Sequence, residues 1–100
     1  MDPITHVFSH KRYRITFIHE LVRDECGKRV EGWCDQVETP AKELVVSTVG
    51  DSGFEFLERL VHEALRACFP TIKEATITQA ASDIVSFLWR CGVRVEFFDD

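Results

Sequence analysis

Three residues near the middle of the chain stand at the spacing of a metal-dependent hydrolase. His62, Glu63 and Arg66 occupy the first, second and fifth positions of the pattern H-E-x-x-H. In that pattern two His side chains one helical turn apart bind Zn²⁺, and the Glu activates a metal-bound water. Arg66 replaces the second His, and a guanidinium has no lone pair to donate and carries a fixed positive charge. The motif therefore indicates zinc hydrolysis, whereas its last residue argues against it.

A helix is expected to position these residues. Residues 54–69 carry apolar side chains at i, i+3, i+4 and i+7, which is one face of a helix. Ser52 and Glu55 form an S-x-x-E start signal, and Pro70 marks the end. The apolar positions are Leu57, Leu60, Val61, Ala64, Leu65 and Cys68. The H-E-x-x-R residues fall on a second stripe of the same helix.

The rest of the chain shows strand patterns followed by a second helix. Residues 1–9 show neither pattern and are expected to be loosely ordered, whereas strands are predicted at 11–22, 30–36 and 42–48. A capping box from Thr71 to Glu74 begins a helix over 72–91, and Gly92 stands where a left-handed cap is expected. Residues 93–98 would form a closing strand or extended tail. Strands that precede helices are typical of an α+β domain.

Length and charge limit the function classes. One hundred residues, 45% of them hydrophobic, suffice for one domain with a core of its own. No apolar run is long enough to span a membrane, and the N-terminus lacks the apolar core of a signal peptide, so a soluble cytoplasmic protein is expected. The net charge of −5 argues against a protein that binds nucleic acid by neutralising phosphates.

The four cysteines, Cys26, Cys34, Cys68 and Cys91, form no C-x-x-C pair. Free thiols are expected, because the chain lacks secretory features and Cys68 fits the apolar face of the central helix. A bridge from Cys26 to Cys34 across a hairpin is the alternative.

Three segments carry a family likeness: GWCDQVETPAKELVVS, LERLVHEALRACFP and EATITQAASDIVSFLWRCG. They resemble a family of small phage and bacterial proteins that look like minimal relatives of SprT-like and gluzincin zinc metallopeptidases. The family pattern runs G-x-C-D, P-x-K-E-I, L-I-H-E-x-x-H-A, an acidic pair, and D-I-x-x-x-L-W-R-x-G. The likeness covers about residues 10–92. The helix motif and the ending LWRCG together are fairly specific.

The resemblance implies a fold and a site. The fold would be a small antiparallel sheet of three or four strands packed on two helices, the first of which carries the metal ligands. His62 would be a zinc ligand and Glu63 the general base. Glu74 matches one letter of the acidic pair and would supply a carboxylate ligand. Asp83 would orient a metal-bound His.

The chain departs from the family pattern where the metal would bind. Arg66 replaces the second His, and Ala75 stands at the other letter of the acidic pair. A catalytic zinc needs three protein ligands and an open position, and His62 with Glu74 supplies two. Arg66 also places a positive charge there, which repels a cation at short range. Alternatively, Arg66 takes the metal's place and forms an ion pair with Glu74 or Glu63 across the two helices.

The leading hypothesis is a metallopeptidase-like pseudo-enzyme, phage-encoded, that acts as a protein-binding module in the host cytoplasm. No cofactor is expected, and a protein partner would pair with strand 42–48 through Leu44, Val45 and Val46. Two alternatives stay open. One is an active zinc-dependent hydrolase with atypical ligands. The other is a small acidic phage anti-defence protein that blocks a host factor.

Simpler roles also stay open for two of the site residues. Glu74 would then only complete its capping box, and Asp83 would lie exposed on a polar stripe of the second helix.

Overall fold

The computed structural model of the chain is an α+β fold in which the described strands precede two helices. It describes residues 2–19, 22–23, 29–30, 32–34, 42–48 and 53–95. The strands are β1 (Ile4–Phe8), β2 (Lys11–Ile18), β3 (Val22–Arg23), β4 (Arg29–Val30), β5 (Gly32–Cys34) and β6 (Glu43–Ser47), and the helices are α1 (Gly53–Cys68) and α2 (Glu74–Arg90). The predicted fold class is confirmed, and both helices lie where the apolar periodicity predicts them.

Four of these strands form one sheet in the order β1-β2-β6-β5, and β3 pairs with β4 separately. The pairs β1–β2 and β5–β6 are antiparallel, but β2 and β6 are parallel, with Ile15 opposite Leu44. β5 is an edge strand and runs in the direction opposite to β2. The chain then reverses direction, and β6 lies between β5 and β2. β6 is therefore antiparallel to β5 and parallel to β2. The sheet is therefore mixed, where the family resemblance implied an antiparallel one.

β6 is an inner strand of this sheet. It pairs with β2 over Glu43–Ser47 and with β5 over three of the same residues. Leu44, Val45 and Val46 are all buried. The expectation that residues 42–48 form an exposed edge for a partner strand is therefore wrong, because both backbone edges of β6 are already paired within the sheet.

A tight hairpin joins β1 to β2. Ser9 and His10 form its turn with φ angles of 48° and 68°, the positive values that a two-residue type I′ turn requires. The Ser9 hydroxyl donates a hydrogen bond of 3.1 Å to the Cys68 carbonyl at the end of α1. The expectation of a loosely ordered segment over 1–9 thus fails for Ile4–Phe8, which lies in the sheet.

The core lies between the sheet and α1. Tyr13, Ile15, Leu44 and Val46 from the sheet pack with Phe56 and Ala67 from α1. The most buried residues of α1 are Phe56, Glu63 and Ala67, whereas the predicted apolar stripe is only half-buried. The reason is that α1 contacts both the sheet and α2. Some side chains of the stripe lie towards the sheet and others towards α2, and neither surface covers the stripe completely. Glu63, expected on a polar stripe, consequently faces the interior.

α2 lies against α1 and buries Ile77, Ala81 and Val85. Its N-cap is Lys73, without a side-chain capping hydrogen bond, so the predicted capping box from Thr71 does not form. At the other end Gly92 has a φ of 92°, and the amides of Gly92 and Val93 donate to the carbonyls of Trp89 and Leu88. This pairing is a Schellman motif, which confirms the left-handed cap predicted at Gly92.

The remaining expectations concern cysteines, the chain end and membrane spans. Cys68 and Cys91 are free thiols. Cys26 and Ser52 lie outside the described residues, and with them the Cys26–Cys34 alternative and the S-x-x-E cap. Residues 93–95 do not form a strand. Within the described part of the chain, neither helix combines the length and apolarity needed to cross a bilayer.

Candidate functional site

Four of the chemically interesting residues meet where α1 faces the beginning of α2. His62, Glu63 and Arg66 come from α1, and Glu74 is the first residue of α2. A short connection reverses the chain between the helices, with the Ile72 amide donating 3.1 Å to the Phe69 carbonyl. This reversal brings Glu74 back alongside α1. We call these four residues the helix clasp.

The shortest contact of the clasp joins His62 to Glu74. The Nε2 atom of His62 lies 2.7 Å from Oε1 of Glu74. The His62 side chain is 22% exposed and the Glu74 side chain 62% exposed. Glu74 lies in the first turn of α2, where a carboxylate is favoured by the positive end of the helix dipole. The imidazole nitrogen that a metal would need is therefore already engaged by a carboxylate.

Glu63 is the buried member of the clasp. Its side chain is 6% exposed, and both carboxylate oxygens lie 3.4 Å from Nη1 of Arg66, one turn further along α1. Burial raises the pKa of Glu63, because removal from water disfavours the charged form, while the charges of Arg66 and His62 partly oppose this effect. The distances are at the long end for hydrogen bonds, so Arg66 compensates the buried carboxylate only in part.

Arg66 connects the two carboxylates of the clasp. Besides Glu63, its Nε atom lies 3.7 Å from Oε2 of Glu74 on the other helix. The Arg66 side chain is 37% exposed, so water screens these ion pairs and each contributes modestly to stability. Together with the His62 contact, they link two turns of α1 to one residue of α2.

The clasp residues do not fit a zinc ion. His62 and Glu74 offer two ligands, and the position of the second His is taken by a guanidinium that cannot coordinate a cation. Ala75 has no ligand atom in its side chain. Among the described residues, no group of three His, Cys, Asp or Glu side chains is arranged to hold a metal ion. We therefore derive no metal chemistry for this site.

Asp83 lies apart from the clasp, further along α2. It is exposed and accepts a hydrogen bond of 2.9 Å from Nε2 of Gln79. The expected role of orienting a His is not supported by this position. Leu44, Val45 and Val46 also lie away from any open surface, since they are buried in β6.

Arg59, three residues before His62 on α1, is a further contributor to the site. Its Nη1 atom donates 3.1 Å to the Ser47 carbonyl at the end of β6. A second contact, of 3.9 Å, joins Arg59 to Glu55 on the same helix. Arg59 thus ties α1 to the sheet one turn before the clasp, and its spacing from His62 and Arg66 was the available signal.

Comparisons of the chain with protein-family models, with curated proteins and with solved structures gave no match. We therefore infer a function from the chemistry and surfaces of the chain itself.

Proposed function

We propose that this domain is a metallopeptidase-like pseudo-enzyme that works as a protein-binding module. The observation that supports the proposal is the position of the Arg66 guanidinium, 3.4 Å from Glu63 and 3.7 Å from Glu74. A fixed cation between two carboxylates does for the helices what a metal ion would do, without offering a site for water or substrate.

The state of the other clasp residues agrees with a structural role. A general base must reach the proton that it removes, and the carboxylate of Glu63 is buried and faces Arg66. The Nε2 atom of His62 is held by Glu74 at 2.7 Å. Both groups that hydrolysis would use are thus engaged, His62 with Glu74 across the two helices and Glu63 with Arg66 within α1.

The binding surface that we propose is the outer edge of β1. This strand ends the described sheet, so β2 pairs with only one of its edges. Ile4 and Val7 are 54% and 51% exposed. In a hairpin closed by a two-residue turn, Thr5 and Val7 hold the non-hydrogen-bonded positions, and their backbone amides and carbonyls point outward. An extended segment of a partner can pair with these groups.

Charge indicates what kind of segment would fit. Residues 4–18 contain Lys11, Arg12 and Arg14 and no Asp or Glu, although the whole chain carries a net charge of −5. Arg14 lies opposite Glu43 in the sheet, so the surplus is greatest at Lys11 and Arg12, which face Phe8 and Val7 of β1. We propose an acidic, extended segment of a partner protein as the occupant of this edge.

One experiment tests whether the protein binds zinc. Protein purified without a chelator or a His-tag is titrated with zinc by calorimetry, and its thermal unfolding is measured with and without zinc. We expect no stoichiometric binding and no rise in Tm, since only a ligand of the folded state stabilises it. His6→Ala, on exposed β1, controls for adventitious imidazole binding. One zinc per chain, lost in His62→Ala but kept in His6→Ala, would replace the proposal with the zinc-hydrolase alternative.

A second experiment tests the edge. A short synthetic peptide of alternating Val and Glu is titrated into the protein, and a Val–Lys peptide serves as the probe of opposite charge. Thr5→Pro removes an outward amide without removing a β1–β2 hydrogen bond, so it should weaken binding of the acidic peptide about tenfold or more while circular dichroism stays unchanged. Thr5→Ala, which keeps the amide, should bind as the unmodified chain does. Equal binding by both variants, or preference for the Val–Lys peptide, would contradict strand addition at β1.

A further inference from the structure

The outer face of α2 carries large apolar side chains that the rest of the described structure leaves exposed. Ile84 is 39% exposed and Phe87 is 66% exposed, and Cys91 after the helix is exposed as well. The residues of α2 that pack on α1 are Ile77, Ala81 and Val85. At 100° per residue they are centred about 120° round the helix from Phe87. We call the exposed set around Phe87 the α2 outer face.

Charged residues border the α2 outer face on one side only. Asp83 precedes Phe87 by four residues and Arg90 follows it by three, so at 100° per residue both lie about 40–60° to the same side of Phe87. Ile84 and Cys91 have the mirrored spacings and lie about 40–60° to the other side. Asp83, Phe87, Arg90 and Cys91 also line one shallow concavity, together with Ser86. The face thus has a polar border, an aromatic centre and an apolar border.

We propose that the α2 outer face binds the same face of a second copy of this chain, with the two helices antiparallel around a two-fold axis at Phe87. Rotation about this axis places each border of one copy against the same border of the second copy. It also reverses the direction in which the residues follow one another along that border. Asp83 of one copy then meets Arg90 of the second copy, and the reciprocal pair forms as well. On the other border Ile84 meets Cys91 of the second copy, and the two Phe87 rings meet at the centre.

This self-complementarity is the reason to choose a second copy as the occupant. An isologous interface requires a patch whose charges attract their own two-fold image. If the charged border carried only one sign of charge, like charges would meet in this arrangement. The acid and the base pair with each other only because one precedes and the other follows Phe87 along the same border. Along this border, Asp83 lies four residues before Phe87 and Arg90 lies three residues after it, so the acid and the base are at almost equal distances from the axis. Gln79 donates 2.9 Å to Oδ1 of Asp83 and so helps to hold that carboxylate on the border.

The size of the face sets the strength of the association. A typical stable protein interface covers about 800 Å² on each partner. One stripe of a 17-residue helix with a few exposed apolar side chains offers less, so the dimer should be weak and should depend on concentration. No clasp residue and no residue of β1 belongs to this face, so the variants that test dimerisation leave both of those sites unchanged.

Sedimentation equilibrium over a range from low micromolar to about millimolar protein tests the proposal, and it needs no ligand. We expect reversible dimerisation that Phe87→Ser abolishes. Asp83→Arg and Arg90→Asp should each weaken it about tenfold or more, since two ion pairs become repulsive. The double variant Asp83→Arg/Arg90→Asp should restore dimerisation to about the original strength. Non-specific association through an apolar patch would not depend on the charges in this way. All three substituted positions are exposed, so circular dichroism should show an intact fold in each variant.

Three outcomes would overturn the proposal. One is a chain that stays monomeric at every concentration. The second is a dimer that is insensitive to Phe87→Ser, which would place the interface elsewhere. The third is a dimer weakened by both single charge reversals and not restored by the double variant, which would exclude the antiparallel two-fold arrangement.

Discussion

The Nε2 atom of His62 lies 2.7 Å from Oε1 of Glu74, and this contact joins the middle of α1 to the first residue of α2. Arg66 reaches the other oxygen of the same carboxylate at 3.7 Å. Glu74 is 62% exposed, so water weakens both contacts. The clasp therefore contributes a modest free energy, and its main effect is to fix where α2 begins relative to α1.

A double-mutant cycle on this pair should show a small favourable coupling. We expect His62→Ala and Glu74→Ala to be less than additive in the free energy of unfolding, with a coupling of about 0.2–1 kcal/mol, the range of partly exposed polar contacts. Urea unfolding of the two single variants and the double variant measures it. Gln79→Ala with Asp83→Ala, a pair within α2, provides the matched cycle that does not cross the helices. Fully additive effects at His62 and Glu74 would contradict a clasp across α1 and α2.

Arg66→His should create a partial zinc site. A His at this position would lie one turn from His62, about 5–6 Å between β-carbons, which lets both rings converge on one ion. Glu74 already lies beside His62 and offers a third ligand. Without metal the variant should be less stable, because Glu63 loses its cation. With free zinc at a hundredfold excess over Kd, binding should stabilise it by about 2.7 kcal/mol.

Zinc calorimetry and thermal unfolding of Arg66→His, beside the unmodified chain, measure this effect. Arg66→Lys is the control that keeps a positive charge and supplies no imidazole. If Arg66→His binds no zinc, then His62, Glu74 and the new His do not form a sufficient set. Ala75→Glu in the Arg66→His background is then the variant that should restore binding.

Glu63→Gln should stabilise the protein increasingly as pH rises. The pKa of Glu63 is raised by burial, so the folded state holds this proton more tightly than the unfolded state does. The resulting contribution to stability is complete below the unfolded pKa of about 4.3 and is lost as pH rises through the higher folded value. The loss is at most about 1.4 kcal/mol per pH unit for one proton. Glutamine does not titrate, so the variant lacks this loss.

Urea unfolding of both proteins between about pH 4 and 8 measures the difference, which should grow with pH and then become constant. Glu58→Gln, on the same helix, controls for the general effect of removing an acidic residue. Parallel stability profiles of Glu63→Gln and the unmodified chain would show that the burial of this carboxylate has no consequence for folding.

Gly92→Ala should destabilise the end of α2 through backbone conformation alone. Gly92 has a φ of 92°, and a β-carbon there would meet no atom within 4 Å. The cost should therefore be that of a left-handed residue, about 1–2 kcal/mol in the free energy of unfolding. Gly92→Asn should cost less, because Asn tolerates this region better. Chemical denaturation compares the two, and equal costs would point to a steric cause.

Local patterns in the sequence determined the elements that carry the site. Apolar residues at helical spacing predicted α1 and α2, because each helix must bury one stripe whatever else it packs against. Gly92 marked the end of α2, since few other residues adopt its backbone conformation without strain. The spacing of His62 and Arg66 likewise placed them one turn apart on one helix. Each of these inferences needs only interactions between residues close in the chain.

The tertiary structure alone decided how these elements meet. The pairing of β6 with both β2 and β5 buries Leu44, Val45 and Val46 and leaves β1 at the outer edge of the described sheet. No local pattern fixes such an order, because strands from distant parts of the chain compete for the same hydrogen-bonding edges. Glu74 shows the same limit: its sequence pattern predicted a capping box from Thr71, but the N-cap is Lys73 and the carboxylate pairs with His62 and Arg66 instead. Glu63 is buried because α1 packs against both the sheet and α2. The apolar periodicity of the sequence predicted one buried stripe and therefore did not predict the burial of Glu63.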